Sequence, residues 1–164
     1  MNKLAFLLVF LAILVVGGTV AFLALEVEEP DLVLPYIMTR IKIAIARPDR
    51  ITDIPLLYFH SFIRRDYERW LQYTTTRYEG ILLEAFNRLE PDTFPEKEIL
   101  IDYDVLEVVE IDDVLRSVIV RTVSKSWLKG EAAIDTTIWN VYLTQNGNWW
   151  LIDHVSIADT TYGN

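Results

Sequence analysis

Residues 140–157 read NVYLTQNGNWWLIDHVSI: an apolar strand, a tight turn and a second apolar strand that carries Asp153 beside His154. On both sides of Gln145-Asn146-Gly147-Asn148, β-branched and aromatic residues follow the two-residue period of a strand. Asn146-Gly147 is a strong short-range hairpin signal, because a two-residue I′ turn needs positive φ at both central positions. The stretch is therefore a hairpin, and the chain before it decides what kind of sheet it closes.

Working back from the hairpin, the same period recurs. Strands are expected at 99–110, 114–127, 132–144 and 149–158, joined by Ile111-Asp112-Asp113, Leu128-Lys129-Gly130-Glu131 and the Asn-Gly turn. Before residue 91 the period is near 3.6. Leu56, Phe59, Ile63, Tyr67 and Trp70 form one apolar stripe opposite Ser61, Arg65, Glu68 and Gln72, which predicts a single amphipathic helix after Thr52-Asp53-Ile54-Pro55. Thr76-x-x-Glu79 reads as a capping box opening another helix, whose stripe is Tyr78, Ile81, Leu82, Ala85, Phe86 and Leu89. A shorter helix is expected over 36–46, with Pro35 at its first turn. Helices first and an antiparallel meander after them make the fold class α+β.

The 164 residues suit one domain with an appendage. Residues 4–25, LAFLLVFLAILVVGGTVAFLAL, hold no charge over 22 positions, enough to cross a hydrocarbon core of about 30 Å as a helix. The run extends beyond the length of a typical signal-peptide core, which favours an uncleaved anchor. Lys3 lies before it, and Glu26, Glu28, Glu29 and Asp31 follow. This asymmetry places the N-terminus in the cytoplasm and the domain on the extracytoplasmic side. The organisation expected is thus an anchor over 1–25, a linker with a juxtamembrane helix over 26–53, and a domain over 54–164. A net charge of −9 argues against nucleic acid, whose binding relies on clustered Lys and Arg. With no cysteine, thiolate metal sites, thiol nucleophiles and disulfides are excluded.

Helices followed by long bent strands, closed by YLTQNGNWWLIDHV at 142–155, resemble the nuclear-transport-factor-2-like superfamily over roughly residues 54–157. The resemblance implies a cone: a curved antiparallel sheet wrapped on N-terminal helices, with a concavity able to host ligands or enzymatic groups. An N-terminal span followed by YFHSFIRRDYERWLQYTTTRYEGIL at 58–82 also resembles the bitopic assembly factors of type IV secretion and conjugation machines. That second resemblance implies a subunit of a membrane complex.

Candidates for chemistry are His60, Asp153 and His154, since a histidine with its ordinary pKa near 6.5 suits acid–base work. Strict alternation puts Asp153 with Leu151 and Val155, and His154 with Trp150 and Ile152, so the neighbours do not form a dyad. The preferred reading of Asp153 and His154 is a hydrogen-bonded polar group at a sheet margin or strand end, and that of His60 a satisfied histidine at the core edge of the first long helix. Asp102, Asp104, Asp112 and Asp113 read as a solvated acidic face, and no metal or other cofactor is expected. The strands are apolar on both faces, so the face away from the helices presents aromatics. Trp139, Val141, Trp149, Trp150 and Ile152 are the residues expected to meet a protein partner, a second copy of the chain included. The main expectation is a non-catalytic binding or assembly module in a membrane complex. Its alternative is a membrane-tethered enzyme or small-ligand binder that uses the cone interior.

Overall fold

The computed structural model describes residues 17–19, 21, 25–88 and 94–163. Most of the 4–25 run, and with it the expected span, lies outside these residues. Among the described residues no helix is long and apolar enough to cross a membrane. Among the described residues, helices α1 (Pro30–Ile45), α2 (Ile54–Ile63), α3 (Tyr67–Leu71) and α4 (Thr76–Arg88) precede strands β1 (Lys97–Glu110), β2 (Leu115–Leu128), β3 (Glu131–Asn146) and β4 (Trp149–Gly163). The strands form one antiparallel meander in the order β1-β2-β3-β4.

Three local readings change. The helix expected over 36–46 is α1, which has Pro30 in its first turn and runs through Pro35 rather than starting there. A proline at the start costs nothing, because the first helical N–H groups have no intrahelical partner. Second, the stripe from Leu56 to Trp70 belongs to two helices. Arg65 takes a left-handed φ of 57°, its N–H donates to Phe62 O, and the Asp66 N–H donates to Ser61 O. This paired closure ends α2, and the Asp66 carboxylate then accepts from Arg69 N–H to cap α3. Ser61, expected on the polar face, is buried. Third, Thr75 rather than Thr76 caps α4, its Oγ1 accepting from Tyr78 N–H at 3.2 Å.

The turns also sort themselves. At the last hairpin the two central residues are Gly147 and Asn148, and only Gly147 has positive φ, the requirement of a II′ turn. The I′ pattern instead occurs at Lys129-Gly130, with φ of 53° and 81°.

Curvature comes from β-bulges. Pairing slips between Leu100 and Asp102 and between Val105 and Glu107 in β1, and it slips twice more between β3 and β4. Each extra residue bends its strand and increases the twist, which rolls the meander into a cone around α2. That helix is buried at Ile54, Pro55, Leu56, Leu57, Tyr58, Phe59 and Ser61. Val118, Val120, Val141, Leu143 and Ile152 of the sheet complete the core with Trp70 and Tyr78. Each fully buried side chain of this size contributes roughly 1.5–3 kcal/mol.

A second small cluster, Val27, Tyr36, Ile99 and Ile101, joins α1 and the residues just before it to the other face of β1. Beside it Lys125, 1% exposed, donates to Val27 O at 2.8 Å and pairs with Glu28 and Glu29. The acidic stretch at 26–29, expected as a linker, is therefore fastened to the sheet.

Candidate functional site

The cone is not filled. Between α2, α3 and α4 and the inner face of the sheet lies a cavity of about 360 Å³, within the size range of small-molecule sites. From α2 come Tyr58, Phe59 and Phe62, from α3 Trp70, and from α4 Tyr78, Leu82, Ala85 and Phe86. The sheet supplies Glu98, Leu100, Thr122, Ser124, Thr137, Trp139 and Val155. Seven of these residues are aromatic and one, Glu98, is ionisable as a carboxylate.

Packing holds the walls in place. The Trp139 ring stands 5.1 Å from Phe59, and Tyr58 and Phe62 lie 5.6 and 5.2 Å from Trp70, centroid to centroid. Trp139 Nε1 donates to Thr122 Oγ1 at 2.8 Å, and that hydroxyl donates to Thr137 O. The indole N–H of buried Trp70 has no hydrogen-bond partner. Burial, together with neighbouring Tyr78, pushes the Tyr58 hydroxyl far above its ordinary pKa, and burial likewise raises Tyr78. Both tyrosines therefore stay protonated across the physiological range. The Glu98 carboxyl is raised chiefly by burial, against a Ser124 hydrogen bond that lowers it.

None of the three residues singled out for acid–base chemistry lines this cavity. His60 faces a second, polar hollow of about 350 Å³ between α1, α2 and the start of β1, together with Tyr36, Arg40, Arg64 and Lys97. Its Nε2 is buried without a partner. Burial, then the positive charges of Arg40, Arg64 and Arg69, push His60 down to about 4. The imidazole is neutral at pH 7.

Asp153 sits at a bulge: Leu143 opposes Ile152 and Tyr142 opposes His154, leaving Asp153 without a strand partner. Its carboxylate accepts from Thr75 Oγ1 at 3.0 Å and pairs with Arg77. Burial would raise this carboxyl, but the Arg77 and Thr75 bonds outweigh it and hold it below the usual range. His154 is exposed, its ring 5.9 Å from those of Tyr78 and Tyr142. The bulge also corrects the alternation: Ile152 belongs to the core and Val155, three residues on, lines the cavity.

The five aromatic and aliphatic residues named for partner contact do not share one exposed face. Val141 and Ile152 are fully buried, and Trp139 turns into the cavity. Trp150 packs on the core beneath the Arg116 guanidinium, while Trp149 is 54% exposed. The face of β3 read as outward is the one the helices cover. Asp102 and Asp104 are engaged by Arg121, and Asp104 also by Lys42 at 3.2 Å. Among the described residues no cluster of His, Cys, Asp and Glu could hold a metal ion.

Glu98 escapes a reading of the sequence that starts the first strand at Ile99. The signal was its alternation with Leu100: two residues apart on one strand, they share a face.

No family model matches the chain, and no curated protein matches it. Among solved structures it is similar to the crystal structure of a hexachlorocyclohexane dehydrochlorinase (LinA), type 2. The TM-score is 0.56 at 13% identity, over 77% of this chain and 93% of that one. At that identity the likeness speaks to architecture alone. What the two share is the architecture, a curved antiparallel sheet closed around its helices, which is the cone that the sequence resemblance implies.

Proposed function

We propose that the protein binds a small, largely apolar molecule inside the cone, in a domain tethered to a membrane through residues 4–25 and held on the extracytoplasmic side. The observation that carries this reading is the aromatic cavity with a single carboxyl on its wall. Such a concave, mostly apolar site with few polar groups is the usual form of a small-ligand pocket. The architectural neighbour is an enzyme by its title, which favours a ligand or enzymatic use of the concavity over a purely assembling one. If chemistry occurs there, Glu98 is the group placed to move a proton, with the Tyr58 and Tyr78 hydroxyls beside the ligand. Protein partners, a second copy included, meet the exposed surface at Trp149 and at Leu106, Val108, Ile111 and Val114 of the first hairpin.

The test is a tryptophan-fluorescence titration of the full chain with small aromatic compounds, since Trp70 and Trp139 both line the cavity. Saturable quenching is expected, and Leu82→Trp, which fills the cavity, should abolish it. Saturation that persists in a folded Leu82→Trp variant would refute the proposed location.

A further inference from the structure

We infer that the ligand is an organic cation, an amine or quaternary ammonium on an apolar body, caged by the aromatic rings and neutralised by Glu98. This deepens the proposed function and rests on the cavity being a ligand site.

Three observations carry it. Aromatic rings attract cations through their negative faces, and Tyr58, Phe59, Trp70 and Trp139 surround one space, a lining of the kind that favours a cation over a neutral group of equal shape. Glu98 is the single charged residue on the lining, so that preference meets no opposing positive charge there. Third, several acids on the sheet and on the segment before α1 are matched. Asp104 has Lys42 and Arg121, Asp153 has Arg77, and Glu28 and Glu29 have Lys125. Among the described residues Glu98 has no ion-pair partner, although it is withdrawn from water. A carboxylate placed so is costly unless a cation joins it.

The groups acting on Glu98 from neighbouring elements are few. Glu98 also borders the polar hollow, where Glu26, Arg40, His60, Arg64, Arg65, Glu96 and Lys97 stand; of the surrounding groups, Ser124 of β2 offers a hydroxyl, Asp135 of β3 adds negative charge, and Arg65, between α2 and α3, adds positive charge. The Arg65 head is already bound to Pro95 O, outside the cavity lining. A bound cation favours the carboxylate form of Glu98. Affinity should therefore rise with pH through the Glu98 titration and level off above it.

The experiment compares phenyltrimethylammonium, whose charge does not change with pH, with tert-butylbenzene, its neutral carbon isostere. Both are titrated into the full chain in detergent by tryptophan fluorescence, with free concentrations fixed by dialysis against empty micelles. At pH 8 the cation should bind about tenfold tighter than the isostere. Glu98→Gln should reduce that preference to the part the rings supply while leaving tert-butylbenzene binding in place, and in the unmutated chain the preference should shrink as pH falls. The pH arm needs no variant, so it decides even if Glu98→Gln does not fold. Equal or tighter binding of tert-butylbenzene, or a preference indifferent to both Glu98→Gln and pH, would overturn the inference while leaving the cavity reading intact. If neither compound saturates, or if Leu82→Trp does not block them, the cavity reading falls and this inference with it.

Discussion

His60 and Glu98 show how differently two buried titratable residues present themselves in the sequence. A histidine attracts attention by type, yet this one faces the polar hollow rather than the aromatic cavity, where burial and then the neighbouring arginines keep it neutral. Its effect belongs to stability. The folded pKa, about 4, lies below the ordinary 6.5, so the unfolded chain binds the extra proton between those values. Stability from this group is complete above pH 6.5 and is lost as pH falls through about 4. After discounting for partial solvent screening the loss is about 1–2 kcal/mol. Urea denaturation of the unmutated chain and of His60→Gln at pH 7 and pH 4.5 should show the difference between them changing by that amount. A constant difference would mean that His60 is not held neutral by its surroundings. Glu98, by contrast, is one acid among 24, and its importance comes from what the cone leaves around it.

At the scale of elements, most of the sheet was legible and its irregularities were not. The period of two marks all four strands because it follows from side chains alternating across a pleat. A bulge adds a residue without changing composition, so the slip at Asp153 leaves no trace in that pattern, and it is this slip that returns Val155 to the cavity. The break between α2 and α3 hid for a related reason, since its stripe continues across a turn closed by Arg65. Thr75 joins two of these irregular points: its hydroxyl oxygen caps α4, and its proton goes to the bulged Asp153. Thr75→Ala removes both bonds and should cost about 1–2 kcal/mol. Thr75→Ser, which keeps the hydroxyl, should restore most of it. Equilibrium unfolding of the two variants decides the point; equal losses would assign the effect to the lost methyl group.

For the molecule as a whole, the decisive joint is where the apolar N-terminal run meets the domain. A flexible linker would leave the cone free to turn relative to the residues before it. Instead the Lys125 ammonium gathers Val27 O, Glu28 and Glu29 into one cluster, with the Trp127 ring 4.8 Å away. Val27 then packs with Tyr36, Ile99 and Ile101, so the segment is fixed by charge and by apolar burial together. Neither fastening was readable beforehand, because Lys125 lies nearly 100 residues from its partners and looks like a solvated strand lysine. Lys125→Met keeps the length and apolar stem but removes the charge, and both glutamates retain contact with water. The expected loss is therefore about 1–3 kcal/mol, below that of breaking a fully buried pair. It should be concentrated locally. A glutamate-specific protease should cut at Glu28 and Glu29 at least tenfold faster in Lys125→Met, while cavity ligands bind as before. Unchanged cleavage would show that Val27 and its apolar neighbours hold the segment unaided.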